Sequence, residues 1–139
     1  MSRLFLDANI VIDLLEERHP FCEDAALLFA EAYHKRVQLH VSPVTFATAA
    51  YLLGKHNDSN KVNGLLSNLR QLVRVAAADE RVVDDAINSA FPDFEDALQY
   101  YSALKAKADF IITRNGKDFA LSKIPVMTAA DYLAIIKQK

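Results

Sequence analysis

Short apolar runs alternate with longer stretches of helical period along the chain, and this alternation restricts the possible folds more than any other feature. Leu4-Phe5-Leu6 is apolar at consecutive positions, which suits a strand covered on both faces. Residues 3–6 are therefore expected to form a short buried strand. Residues 8–17 follow as a helix with Ile10, Val11, Leu14 and Leu15 on one face. Pro20 suits the first turn of a second helix, in which Phe21, Ala25, Leu28, Phe29 and Ala32 keep the helical period. Residues 37–41 alternate and read as a strand; Ser42 then caps a helix with Pro43 at its first position, running to about residue 55. Beyond the Asn57-Asp58-Ser59 loop, Val62, Leu65, Leu66 and Leu69 mark a helix, Val73-Arg74-Val75 a short strand, and Val82, Val83, Ala86, Ile87 and Ala90 a further helix. Phe91-Pro92-Asp93 interrupts that pattern. A helix resumes with Phe94, Ala97, Leu98, Tyr101 and Leu104 at core spacing. Residues 109–113 read as a buried strand, Asn115-Gly116 as a turn, residues 124–127 as a last strand, and residues 129–136 as a closing helix capped by Thr128. Strands and helices in alternation argue an α/β fold with a largely parallel sheet. Right-handed crossovers then bring the strand ends to one edge.

The 139 residues are expected to form one domain, 1–139, long enough to bury roughly 70% of the unfolded surface without staples. The single cysteine, Cys22, excludes an internal disulfide; it fits a reducing, cytoplasmic setting and falls in an apolar helical pattern that predicts burial. Asp7 and Asp13 break up the N-terminal apolar stretch, so neither a signal peptide nor a membrane span is expected. The net charge of −2 argues against a generic nucleic-acid coat. It does not argue against a nuclease, whose acidic site would be neutralised by bound cations.

Acidic and amide residues cluster just beyond the strand-like runs. Asp7 follows Leu4-Phe5-Leu6, Asp93 and Asp96 open a helix, and Asn115 and Asp118 follow Phe110-Ile111-Ile112-Thr113. In a parallel α/β sheet the carboxyl ends of the strands form the ligand crevice. Carboxylates gathered there suggest a divalent cation held by oxygen ligands. Each residue also has a simpler reading. Asp7 suits the N-cap of the following helix, with Asn9 orienting it or capping in its place. Asp93 and Asp96, at i and i+3, resemble a capping box with Asp replacing Glu, while Glu95 points toward solvent. Thr113 and Asn115 suit a polar turn or a ligand pair, and Arg114 and Lys117 are placed to contact phosphates. Three unrelated caps at the same end of one sheet are less expected than any single one.

The motifs bear a resemblance over nearly the whole chain. Phe5-Leu6-Asp7-Ala8-Asn9-Ile10-Val11 resembles the opening signature of PIN domains. Asp93-Phe94-Glu95-Asp96-Ala97-Leu98-Gln99-Tyr100 resembles their helix carrying the third acid, and Ile111-Ile112-Thr113-Arg114-Asn115-Gly116-Lys117-Asp118-Phe119 their last acidic segment. Ser42-Pro43-Val44-Thr45-Phe46 resembles the intervening strand-to-helix turn. The nearest likeness is to the bacterial branch with VapC-type toxins. The resemblance implies a three-layer α/β/α sandwich with a mainly parallel sheet and a Mg²⁺- or Mn²⁺-dependent ribonuclease site. The first acid maps to Asp7, the third to Asp96 with Asp93 as a neighbouring carboxylate, and the fourth position to Asn115 with Asp118 close by. Two positions depart from the family pattern. Thr48 stands where many PIN nucleases carry Glu, and Asn115 is an amide in place of an acid.

The implied activity is endonucleolytic hydrolysis of RNA phosphodiesters, with the cation polarising the phosphoryl oxygen and activating water for in-line attack. Asp7, Asp96, Asp93 and Asp118 would hold the metal; Asp7, Asp96, Asp93 and Asn115 would form the catalytic set. Thr113, Arg114, Lys117 and Asn9 would position the substrate. The resemblance also implies an antitoxin partner and self-pairing through helical surfaces. The alternative is a weakened PIN-fold module that binds RNA or a protein without cleaving. A receiver or haloacid-phosphatase reading fits worse, since the phosphatases place a second Asp where Asn9 stands.

Overall fold

Burial at consecutive positions and parallel pairing define the centre of the molecule. The computed structural model describes residues 1–138. The chain runs β1 (Ser2–Leu6), α1 (Ala8–Leu15), α2 (Phe21–Tyr33), β2 (Val37–Val41), α3 (Pro43–Leu53), α4 (Ser59–Leu72), β3 (Val73–Val75), α5 (Glu80–Ile87) and α6 (Phe94–Lys105). It continues with β4 (Phe110–Ile112), a 3₁₀ turn (Gly116–Phe119), β5 (Val126–Met127) and α7 (Ala129–Lys137). The five strands pair in the order β3-β2-β1-β4-β5, every pair parallel. β1 is central, so Leu4, Phe5 and Leu6 are all fully buried. Leu4 and Leu6 face one side with Leu39 and Ile112, and Phe5 faces the other with Ile111. The first face is covered by Ile10 and Val11 of α1, Leu28 and Phe29 of α2, Leu69 of α4 and Tyr132 and Leu133 of α7. The second is covered by Tyr100 and Ala103 of α6 together with Phe119. The result is the three-layer α/β/α arrangement that parallel strands require.

The sheet order places a switch point at its middle. The chain leaves β1 toward β2 on one side, whereas β4 pairs with β1 on the other. The loops after β1 and β4 therefore diverge and leave a crevice at the carboxyl ends. Asp7 N–H donates to the carbonyl of Ile112, 3.0 Å, holding the two loop origins together.

Helix starts follow the cap chemistry. Ser42 accepts from Val44 N with Pro43 in the first turn, Asp58 from Lys61 N, Asp79 from Val82 N, Asp93 from Asp96 N and Thr128 from Asp131 N. Several expected faces are rotated. In α6, Phe94 and Leu104 are exposed, and Ala97, Gln99, Tyr100, Ser102 and Ala103 turn inward. Tyr100 and the small residues let the helix approach the sheet, so the inward stripe is less apolar than the outward one. In α2, Phe21 is exposed at the first turn. Cys22 is only half-buried, because it lies beside His19 and Glu23 at the surface rather than under α1. α1 ends at Leu15, two residues early, and Pro20 lies at the N-cap of α2 rather than inside it.

Phe119 is 2% exposed and closes the second core face while belonging to the turn that carries Asp118. Phe119→Ala should cost about 3–5 kcal/mol by cavity formation, read from urea denaturation; a loss under about 1 kcal/mol would show that the turn is not anchored by this ring.

Candidate metal centre

Asp7 ends β1 and caps α1 in one step. Its Oδ1 accepts from Ala8 N, 2.8 Å, and its Oδ2 accepts from the Thr113 hydroxyl, 2.7 Å. Thr113 directly follows β4 and is 1% exposed. Its Oγ1 also accepts from Asn9 Nδ2, 3.2 Å, and from Asn115 N, 3.1 Å. Asn9 Oδ1 in turn accepts from Arg114 N, 3.4 Å. The first and last sequence motifs thus meet in one hydrogen-bonded network across the switch point. The Asn115 side chain is exposed and makes no cap to the 3₁₀ turn.

Asp96 stands in the first turn of α6 and is the carboxylate most perturbed by its surroundings. Its pKa is pushed up from the ordinary carboxylate value to about 6, first by burial and then by the charges of Asp93, Asp118, Asp7 and Glu95. Asp93 caps the same helix through Asp96 N, 3.0 Å, so the cap and the acidic cluster coexist. Asp118 is exposed on the 3₁₀ turn. Asp93 is exposed as well, and Asp96 is half-buried beside them. A cleft of about 590 Å³ lies at the other end of the strands, beside Met1, Val37 and Val73.

Arg114 departs from its expected role. Its guanidinium makes two hydrogen bonds to the Asp13 carboxylate, 2.6 and 3.0 Å, and lies 4.0 Å from the centre of the Phe21 ring. A guanidinium held by two carboxylate oxygens and a ring is committed to the fold, so it clamps the 113–118 loop onto α1 instead of offering itself to phosphate. Lys117 is exposed and makes no ion pair among the described residues. Thr48 turns its hydroxyl to the Val44 carbonyl of its own helix, 3.1 Å. Sequence reading missed three polar residues: Asp13, Thr45 and Gln99, all 1% exposed or less. Gln99 lies three positions after Asp96, and that i, i+3 spacing was the available signal.

One group of three ligating side chains among the described residues brings its donors within 4.8 Å of one another: His19, Cys22 and Glu23, at the surface. His19 and Glu23 already satisfy each other at 2.7 Å. The carboxylates around Asp96 are spread more widely than that.

Two measurements follow from this geometry. Removing Arg114 strands the buried Asp13 charge, whereas removing Asp13 leaves a guanidinium that can reach water, its side chain being 28% exposed. Arg114→Ala should therefore cost about 3 kcal/mol or more, and Asp13→Ala clearly less; a reversed order in urea denaturation would refute this account. A raised folded-state pKa at Asp96 means that the metal-free native state binds a proton more tightly than the unfolded chain does. Its contribution is fully present below about pH 4 and lost as pH rises through about 6. The full difference corresponds to about 3 kcal/mol, and solvent screening around a half-buried group reduces it to about 1 kcal/mol. In EDTA, Asp96→Asn should gain about that amount near neutral pH and nothing at pH 4; an equal effect at both would exclude charge crowding.

Comparison with known proteins agrees with this fold. A family model described as the PIN domain matches residues 3–117. No curated protein matches the sequence. Among solved structures, a toxin–antitoxin complex from Klebsiella pneumoniae superposes with a TM-score of 0.67 at 24% identity, covering 92% of this chain and 98% of that one. VapBC-1 from nontypeable Haemophilus influenzae gives 0.67 at 18% identity, covering 93% and 99%. Mycobacterium tuberculosis VapC20, described as a Sarcin-Ricin loop cleaving toxin, gives 0.66 at 16% identity, covering 85% and 94%. At these identities the likeness is one of fold. With the family model spanning most of its length, the chain belongs to the PIN domain family.

Proposed function

We propose that this chain, acting as a single PIN domain, is a divalent-metal-dependent endoribonuclease and the toxin of a toxin–antitoxin pair. The observation that carries the reading is the crowding of Asp96 by Asp93, Asp118 and Asp7 at the switch point. Among the described residues no arginine or lysine forms an ion pair with those acids: Arg114 is spent on Asp13, and Lys117 pairs with none of them. A donor set of hard, anionic oxygens with uncompensated charge fits Mg²⁺ or Mn²⁺. The wide spacing of the acids suits a small cation that keeps several waters.

Asp7 and Asp96 would hold the cation directly, with Asp93 and Asp118 reaching it through water. When bound, the cation supplies Lewis acidity toward a phosphoryl oxygen and makes nearby water a stronger acid. Thr113 holds Asp7 Oδ2 in place, and Asn9 holds Thr113, so the carboxylate meets substrate pre-oriented. Asn115, exposed at the crevice, would orient the attacking water through its amide. Lys117 would pair with a phosphate of the strand. The open crevice suits a polymer that enters and leaves sideways. Solved toxin–antitoxin complexes of this fold, such as the one from Klebsiella pneumoniae, support an antitoxin as partner. No helix among the described residues is long and apolar enough to cross a membrane. This agrees with action in the cytoplasm, where RNA is available.

A second reading rests on α3. Thr48 offers the crevice no charge and commits its hydroxyl to Val44 O, so a module that binds RNA or a protein without cleaving it remains the competing assignment. Cleavage of structured RNA with Mn²⁺, Mg²⁺ or EDTA separates the two. The nuclease reading expects metal-dependent cutting that falls roughly 100-fold or more in Asp7→Asn and Asp96→Asn, with circular dichroism unchanged. A folded wild type that binds Mn²⁺ and cuts no RNA would favour the binding module.

A further inference from the structure

Gln99 is a large polar side chain held almost wholly inside the protein, 1% exposed, one turn along α6 from Asp96. Its Nε2 donates to Asp7 Oδ1, 3.4 Å, and to Thr45 Oγ1, 3.3 Å. The orientation of the amide follows from its neighbour, since a carboxylate accepts only and must face the NH₂ end. The other end is unsatisfied: Gln99 Oε1 is buried with no hydrogen-bond donor among the described residues. Thr45 is fully buried in the first turn of α3. One amide group therefore joins three separate elements: the β1–α1 junction, α3 and α6.

A buried amide with an unpaired acceptor works against stability, and Leu or Met would fill nearly the same volume without that cost. What an apolar residue would lose is the donor end, and that end is aimed at Asp7. On α3 the departure at Thr48 removes a carboxylate, while Thr45, three residues earlier, reaches the same region through the Gln99 amide. α3 thus touches the site through a neutral relay in place of a charge.

We propose that Gln99 is a positioning residue of the cation site, fixing the Asp7 carboxylate by tying it to Thr45 and so replacing a charged contribution from α3. The inference rests on the reading of Asp7 as a ligand for a divalent cation. Partners of this kind, one bond removed from a metal, change affinity without touching it, and their loss costs roughly 10–100-fold in binding.

The test is Mn²⁺ binding to the full chain, followed by the electron paramagnetic resonance of unbound Mn²⁺, with thermal unfolding in EDTA alongside. Gln99→Met removes the unpaired acceptor but leaves the buried Thr45 hydroxyl without its donor, so the metal-free melting temperature should change little, yet the variant should bind Mn²⁺ roughly 10-fold or more weakly. Thr45→Val removes the far anchor of the same amide and should weaken binding in the same direction. It also carries the test should Gln99→Met fail to fold. Asp7→Asn is the control for the site itself. Wild-type Mn²⁺ affinity in folded Gln99→Met or Thr45→Val, with binding lost in Asp7→Asn, overturns the positioning role and leaves the cation site standing. Absence of Mn²⁺ binding by the wild type overturns both. A merely structural Gln99 would shift the melting temperature and leave affinity where it was.

Discussion

The hydrogen bond from Thr113 to Asp7 ties together the ends of the two strands between which the sheet reverses its order. Asp7 follows β1 and Thr113 follows β4, so the bond fixes the two walls of the crevice relative to each other. The remaining polar groups are arranged around it. Asn9 and Asn115 N use the same hydroxyl as an acceptor, and Gln99 uses the other carboxylate oxygen. Asp7 is thereby surrounded by donors. Asp96, across the crevice, has no donor to its carboxylate among the described residues and faces acids instead. One carboxylate is anchored and the other is frustrated, and a cation between them would relieve the second without moving the first.

The strand positions were plain in the sequence because parallel strands are buried on both faces and leave uninterrupted apolar runs, as at Leu4-Phe5-Leu6 and Ile111-Ile112. The helices were legible as helices, but their faces were less so. α6 buries Gln99, Tyr100 and Ser102 and exposes Phe94 and Leu104, the reverse of what side-chain polarity alone predicts. Gln99 turns inward onto Asp7 and Thr45, Tyr100 onto the second core face, and Ser102 is small enough to let the helix approach the sheet. Gln99 and Thr45 were hidden because their roles depend on contacts 54 and 92 residues apart in sequence. Asp13 was hidden differently, since it reads as a break in an apolar run and becomes intelligible only when Arg114 arrives from 101 residues away. Asp7 and Asp93 were legible as caps, because helix starts draw on short acidic residues. The charges of both also act on Asp96, so capping leaves each carboxylate within the acidic cluster.

The site is a local conflict that the rest of the fold must contain. Like charges around Asp96 and an unpaired buried acceptor on Gln99 both oppose folding of the metal-free chain. Two devices hold the 113–119 segment against that strain. Phe119 inserts into the second core face, and the Arg114–Asp13 pair, backed by Phe21, pins the start of the loop to α1. Both lie outside the acidic cluster, so each can stabilise the loop without adding positive charge to the place where a cation would bind. An arginine directed into the crevice would offset the acids and compete with the cation; directed at Asp13, it does neither.

The neutral residues at 48 and 115 belong to the same balance. Neither adds a charge to the group that already raises Asp96. Thr48 instead satisfies itself on Val44 O, and Asn115 brings an amide dipole with no net charge. Gln99 follows the same logic inside the helix layer, supplying orientation where a charge would be costly. On the proposed reading, the site would fold without a cation and bind one less tightly than a site with further carboxylates at 48 and 115. Asp7, the anchored carboxylate, is held in place by neutral hydrogen-bonding groups, and the charges around Asp96 are left free for a cation.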